Sequence, residues 1–538
     1  MAKGKVTYST ISSTPNDEER EELLDSGNRS IRRSPILFLV LSLALSALVG
    51  SSVFLHSRFS APKPKRNVIM MISDGFGPAS ETYSRLYYQW SKNLPVGYKT
   101  PLDTILVGAS RTRSNSSMIT DSAAGATAIS CAQKTFNNAV GVDPFEEPCG
   151  TLLEAAKANG MLTGLVVTSR ITHATPASFS SHVVHRNLEH LIAEHQIGNY
   201  VLGPTVDLMF GGGRCFFLPN TTEGSCRPDT KNLIRDAQQR GFRYIQSREQ
   251  FDSLKSQTHF PLMGLFALDH MDYDIDRDPQ VQPALSEMTQ KALDLLNKAS
   301  EDSDKGFFMM IEGSRIDMGA HNNDPIGHLH DILAYQETIE VVKAFVDANP
   351  GTVMISVSDH ETGGFTVGRQ VTETYPEYIW YPEVISKCKK STSYLGKLLF
   401  EYSGENRKEY VVNDILKEQL EIVDPTEDEV GYLLEAHTLF DFIYHLSKMV
   451  SVRAQLGWTT HGHTGVDVNL YAYGSNSHEL SGNHENTEIG DFISNYLNLN
   501  LDTITTSLKK NPPQLRADAQ VVKRLTNKPL DIHQDYIL

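Results

Sequence analysis

The sequence predicts an α/β chain built on a mostly parallel β-sheet covered on both faces, preceded by one membrane-crossing helix. Three observations predict this. Short continuous apolar runs recur between helix-like stretches, as strands buried on both faces do. Three of those runs, at 68–73, 307–311 and 352–358, each lead straight into a carboxylate: Asp74, Glu312 and Asp359. Upstream of them lies one uncharged apolar stretch, 36–55, whose roughly 20 residues suffice to cross about 30 Å of hydrocarbon.

The chain begins with a polar, acid-rich segment, 1–35, and no short apolar region directly follows Met1, so no cleavable signal peptide is expected. Within it, Asp17-Glu18-Glu19-Arg20-Glu21-Glu22-Leu23-Leu24 is similar to the acidic dileucine signals that vesicle adaptors read. Basic residues flank the apolar stretch on both sides, Arg29, Arg32 and Arg33 before it and Arg58, Lys63, Lys65 and Arg66 after it, so their balance does not orient it. Cysteines and glycosylation sequons do. Cys131, Cys149, Cys215, Cys226 and Cys388 all follow the stretch, and so do the sequons at Asn115 and Asn220. This favours a cytosolic tail and a lumenal or external body. The close spacings suggest bridges Cys131–Cys149 and Cys215–Cys226 with Cys388 left over; buried free thiols are the alternative. Residues 56–66, with Pro62 and Pro64, read as a spacer.

At 538 residues, 40% apolar and 21% charged, the body has material for a substantial core. A net charge of −16 argues against a nucleic-acid binder, which needs a basic face. It leaves room for a small phosphorylated substrate, because a local cation can overrule the global charge.

Taken in order, the first apolar run ends in Asp74-Gly75-Phe76-Gly77. A stretch of small residues, 119–128, follows and contains Ser122 directly behind Asp121. Ser122 is expected at or near a helix N-terminus, as a cap or as a nucleophile, and capping is the commoner use of such a serine. A run at 163–168 continues into Ser169-Arg170-Ile171-Thr172-His173-Ala174-Thr175-Pro176, and a late run, 468–474, follows His463. In open α/β sheets, ligands bind beyond the C-terminal strand ends. Acids after three such strands therefore suggest convergence on cations. Asp317 and His321 are spaced to share one helical face, and Asp359 and His360 are adjacent at a strand end. Mixed Asp/His sets suit zinc, and the oxygen set Asp74, Glu312 and Thr175 suits magnesium. Residues 365–457 read as an insertion whose aromatic start, Tyr375, Tyr378, Trp380 and Tyr381, forms either an interface or ordinary packing. The segment 501–538, with Pro512-Pro513, reads as a polar surface tail.

Together, Asp74-Gly75, Thr120-Asp121-Ser122-Ala123, His173-Ala174-Thr175-Pro176, Glu312-Gly313-Ser314-Arg315-Ile316-Asp317, Ser358-Asp359-His360-Glu361-Thr362-Gly363-Gly364 and Gly462-His463-Thr464-Gly465 resemble the successive motifs of the alkaline phosphatases, over about 67–490 and in that family's order. The resemblance implies a three-layer α/β sandwich in a catalytic domain at 67–500 and hydrolysis of phosphate monoesters, on small molecules or phosphopeptides. It further implies a phosphoserine intermediate, broad leaving-group tolerance and an alkaline pH optimum. By resemblance Ser122 is the nucleophile and Arg186 clamps the phosphate. Asp317, His321 and His463 hold one Zn2+, and Asp74, Asp359 and His360 a second. Asp74, Thr175 and Glu312 hold one Mg2+, and His173 lies just outside these sets. His461 competes weakly with His463, while His328 and His330 read as helix or outer groups. A homodimer is also implied. The anchor and tail are similar to those of the fungal vacuolar branch, which implies a single-pass type II protein of the vacuolar membrane with its catalytic domain lumenal. Two departures stand out: His173 replaces the aspartate of bacterial members, and Met318 stands where relatives carry Lys or His, so weaker phosphate binding is expected. A phosphodiesterase or sulfatase of the same superfamily, and an inactive binding protein, are the competing readings; Arg186 and the complete ligand set disfavour them.

Overall fold

The computed structural model describes residues 65–370, 372–375 and 377–516. The expected tail and membrane span, and the spacer up to residue 64, lie outside the described residues. Among those described, no helix is long and apolar enough to cross a membrane.

Ten strands form one sheet: β1 (Asn67–Ile72), β2 (Leu106–Arg111), β3 (Leu162–Arg170), β4 (Leu208–Gly212), β5 (Arg243–Ile245), β6 (Leu262–Leu265), β7 (Phe307–Glu312), β8 (Thr352–Val357), β9 (Val468–Gly474) and β10 (Gly482–Glu485). Their order across the sheet is β10-β2-β9-β8-β1-β7-β3-β4-β6-β5. All pairs are parallel except those of β9, which runs antiparallel to β2 and β8. The sheet is thus large and mostly parallel, as expected. Successive side chains point to opposite faces. On β1, Val68, Met70 and Ile72 enter one core, while Ile69 and Met71 enter the other. Helices close both sides, giving three layers. Leu152 and Leu153 of the helix Leu152–Ala158 pack on the first face, and Met288 and Ala292 of Leu285–Ala299 on the second. Each large apolar side chain buried this way contributes about 1.5–3 kcal/mol.

The helices that matter for function are α1 (Pro78–Ser91), α2 (Ser122–Ser130), α3 (Ala174–Ser180), α4 (Arg315–His321) and α5 (Pro325–Ala348). The segment between β8 and β9 leaves and re-enters through a stem of two short antiparallel ladders. Thr366–Val367 pairs with Leu456–Gly457, and Glu361–Thr362 pairs with His463–Thr464. Above the stem, five helical stretches between Pro382 and Ala454 share a core of their own, to which α1 adds Tyr83 and α5 adds Ile326 and Leu329. The aromatic start of this segment divides: Trp380 packs edge-on against Tyr83 at 5.5 Å, while Tyr375 and Tyr378 are exposed. The stem also explains the direction of β9. The chain returns at the same end of β8 from which it left, so β9 must run back antiparallel.

Residues 501–510, expected as polar surface chain, form helix α6 (Leu501–Lys510). Asn500 caps it by accepting from the Thr503 N–H at 2.9 Å. Ile504 and Leu508, one turn apart, bury against Ala155. Leu508→Ala is expected to lower stability by about 2 kcal/mol, read by urea unfolding, with catalytic activity retained.

Candidate active site

β8, β1, β7 and β3 are neighbours at the centre of the sheet. Adjacent strands lie about 4.8 Å apart, so acids at their C-terminal ends converge. Asp74 lies just beyond β1, Glu312 ends β7 and Asp359 lies just beyond β8. Past β3 the chain turns into α3, which His173 precedes and Thr175 enters. After β7, α4 presents Asp317 and His321 from one face. Gly75 is required here: its φ is +73°, and a Cβ on it would sit 2.6 Å from Asp317 Oδ1.

Three sets of donor atoms each fall within 4.8 Å of one another: Asp317, His321 and His463; Asp74, Asp317 and His360; Asp74, His173 and Glu312. His321 Nε2 lies 3.3 Å from Asp317 Oδ2 and 3.0 Å from His463 Nε2. His360 Nε2 lies 3.4 Å from Asp74 Oδ1 and 3.3 Å from Asp359 Oδ2. The rings of His360 and His463 stack with centroids 3.5 Å apart. Asp74 Oδ2, Asp359 Oδ2, Glu312 Oε1 and Thr175 Oγ1 are buried without a hydrogen-bond partner among the described residues.

The electrostatics match that geometry. Burial, with the Asp359 charge adding to it, raises Asp74 well above the usual carboxylate range. Burial pushes Glu312 up to about 7 and, helped by the Asp317 charge, Asp359 to about 7. Asp317 runs the other way: burial would raise it, but His321, with His463 and His360, holds it well below. Burial pushes His360 down and His463 to about 4. Crowded, buried carboxylates with idle oxygens and neutral imidazoles form a donor set that divalent cations satisfy.

Ser122 is the first residue of α2, and Asp121, not Ser122, caps the helix by accepting from the Ala124 N–H at 3.0 Å. The serine hydroxyl therefore stays available to the site. Its Oγ lies 3.0 Å from His360 Nε2 and 3.4 Å from Asp74 Oδ1. The second Asp121 oxygen accepts from Arg186 at 3.3 Å, and the other guanidinium arm lies 2.9 Å from His173 Nε2.

A family model for alkaline phosphatase matches residues 65–499. The chain belongs to the alkaline phosphatase family. An alkaline phosphatase of Schizosaccharomyces pombe is 50% identical over 485 residues, 90% of this chain and 90% of that protein. The repressible alkaline phosphatase of Saccharomyces cerevisiae is 45% identical over 503 residues, 88% of each chain. The crystal structure of a cold-active alkaline phosphatase from a psychrophilic Shewanella sp. matches with a TM-score of 0.68 and 31% identity, covering 80% of this chain and 99% of that one. The chain is accordingly an alkaline phosphatase-type phosphoric monoester hydrolase with candidate metal-binding residues.

In this phosphatase the fold brings together Asp74, Ser122, His173, Thr175, Arg186, Glu312, Asp317, His321, Asp359, His360 and His463. His173, expected outside the ligand sets, lies within donor distance of Asp74 and Glu312. Asp317 sits between two sets rather than in one. His461 lies with its Nδ1 2.6 Å from the His321 carbonyl and belongs to none of the three donor sets. His328 is buried between the Ile316 carbonyl and Ser80, at 2.9 and 2.8 Å. Cys131–Cys149 and Cys215–Cys226 are disulfides, and Cys388 is free and buried. Asn115 and Asn220 are both exposed.

Two features escaped sequence reading. Asp121 serves helix and arginine at once. His182, to which no role attaches in sequence, lies 2.8 Å from Glu154 and 2.7 Å from the Gly141 carbonyl, four residues before Arg186. Burial opposes a charge on His182, yet Glu154 outweighs it and raises the pKa. Their signals are long-range contacts, which spacing does not encode. Asp121→Ala removes one partner of Arg186 and a helix cap worth about 1 kcal/mol. The inhibition constant for inorganic phosphate is expected to rise roughly ten-fold, as loss of about 1.4 kcal/mol of arginine positioning gives; an unchanged constant speaks against that role.

Proposed function

We propose that the chain is a membrane-anchored phosphomonoesterase that works through a phosphoserine at Ser122, with two Zn2+ and one Mg2+ per subunit. The observation that carries this reading is the Ser122 hydroxyl, uncommitted to its own helix and directed at the buried carboxylate–histidine cluster. Asp317, His321 and His463 would hold one zinc, Asp74, Asp359 and His360 the other, and Asp74, Thr175 and Glu312 the magnesium. Bound there, these ions would lower the pKa of the serine hydroxyl and of water and neutralise charge on the transferring phosphoryl group. The chain's own residues do the rest. The α2 N-terminus offers free N–H groups and a positive dipole end to the phosphate. Arg186 presents two parallel N–H donors, a geometry lysine lacks. Asp121 and His173 hold that guanidinium in place before substrate arrives, so little entropy is lost on binding. Ser122 Oγ forms a bond to phosphorus and gives up its proton as the ester P–O bond breaks, and the alcohol leaves with that bond's electron pair and one proton. Water then attacks the phosphoserine, the Oγ–P bond breaks, Ser122 Oγ regains a proton from that water, and inorganic phosphate departs. Met318, which by resemblance stands where relatives carry Lys or His, is buried with its sulfur 3.1 Å from an Arg315 nitrogen.

The wider setting is part of the same reading: a cytosolic tail at 1–35 that binds a vesicle adaptor, a span at 36–55, a lumenal body in the vacuole, glycans on Asn115 and Asn220, and a homodimer. The two disulfides suit an oxidising lumen, and the similarity to fungal enzymes suits the vacuole. Ser122→Ala tests the chemistry. Hydrolysis of a monoester is expected to fall by roughly 10³-fold or more, no phosphoryl adduct should be seen by intact mass, and zinc content should be unchanged. An adduct that persists in the variant contradicts the assignment.

A further inference from the structure

The site is closed at its floor and open on one side. Asp74, Glu312, Asp359 and His360 are buried, whereas the side chains of Arg186, Asp121 and His463 remain 16%, 12% and 12% exposed. Whatever part of a substrate the phosphate-binding groups do not hold must leave past those three. Two segments adjoin these residues in the chain. One is 118–120, directly before Asp121; the other is 464–466, directly after His463. They are tied to each other. His463 Nδ1 lies 2.8 Å from the Thr120 carbonyl. A Cβ on Gly465 would lie 3.5 Å from the Met118 carbonyl and 3.9 Å from Ile119 Cγ1. Asn137 donates to the Ile119 carbonyl at 3.1 Å, which fixes the first segment from behind.

Thr464 is partly exposed and donates its hydroxyl to Glu361; the most exposed side chains of the two segments are apolar. Met118, Ile119 and Val466 are 79%, 44% and 45% exposed. The acid beside Val466, Asp467, is engaged by Asn483 Nδ2 at 2.8 Å. Single exposed apolar residues are ordinary. Three of them on two joined segments, at the mouth of a polar site in a chain of net charge −16, form a local surface suited to carbon rather than charge.

We infer that Met118, Ile119 and Val466 form an apolar lip that contacts the organic part of the ester, so that the enzyme favours alkyl and aryl monoesters over equally charged polar ones. The inference rests on the reading of Ser122 and Arg186 as the phosphate site. In the reaction the ester oxygen leaves as an alcohol, and the carbon chain on that oxygen is what the lip touches. The contact exists before and during transfer, so it acts on KM more than on kcat. A methylene half-buried against such a lip changes kcat/KM about two-fold.

The test uses the full chain supplied with zinc and magnesium and the series ethyl, butyl and hexyl phosphate, reading released inorganic phosphate. The leaving alcohols have nearly equal acidity, so chain length reports contact alone. In the wild-type protein kcat/KM is expected to rise about two-fold per added carbon, carried by KM. The double variant Met118→Ser, Val466→Ser should flatten that slope, and Met118→Leu should keep it. A flat wild-type series, or a slope that survives in the double variant, overturns the inference. Should the double variant fail to fold, Val466→Ser alone carries the test: a reduced slope supports the lip and an unchanged slope overturns it. Failure of the wild-type protein to hydrolyse even ethyl phosphate would instead overturn the proposed function.

Discussion

The constraint on which the rest of the molecule depends is the burial of Asp74, Glu312, Asp317 and Asp359 in one cluster: Asp317 and Glu312 each share a donor set with Asp74, and Asp359 lies 3.3 Å from the His360 ring that Asp74 also faces. Taking charged carboxylates out of water costs several kcal/mol each unless cations compensate. The protein supplies some compensation through Arg186 near Asp74 and His321 beside Asp317, but leaves carboxylate oxygens without partners among the described residues. Much of the surrounding fold makes this crowding possible. Gly75 has no side chain because Asp317 occupies the space a Cβ would take, and a Cβ on Gly125 of α2 would lie 3.0 Å from Asp359 Cβ. The run of small residues after Ser122 thus lets α2 approach the acids closely.

The parts of this design encoded locally were legible in the sequence. Continuous apolar runs marked β1, β3, β7, β8 and β9, and acids behind three of them marked the site. Shorter or more polar strands were not visible, β2 and β10 above all, because they lie toward a sheet edge where the apolar pattern weakens. The direction of β9 depends on the stem at Glu361–Thr362 and His463–Thr464, a pairing separated by about a hundred residues that local patterning does not encode. The helix at 501–510 has only two buried apolar residues, too few to stand out in a polar segment.

The site shows the same division. Residue types and i,i+4 spacing pointed to Asp317 and His321, and family motifs supplied His463 and Arg186. Taken alone, the stretch favoured Ser122 as a helix cap, and the family resemblance made it the nucleophile. The structure gives the cap to its neighbour: Asp121 accepts from the helix with one oxygen and from Arg186 with the other. One carboxylate thereby couples helix stability, arginine placement and the availability of the serine. The position of His173 inside the third donor set likewise depends on how the turn after β3 folds back on Asp74 and Glu312.

The central claim is that bound cations, rather than protein groups alone, balance the buried carboxylates. Ligands that bind only the folded state stabilise it by mass action. The most direct measurement is the metal content of the purified chain alongside its thermal unfolding before and after exhaustive chelation. The account predicts two zinc ions and one magnesium ion per chain, a marked fall in the unfolding temperature when they are removed, and recovery when both are restored. A chain that carries no divalent metal, or that unfolds at the same temperature after chelation, would contradict it.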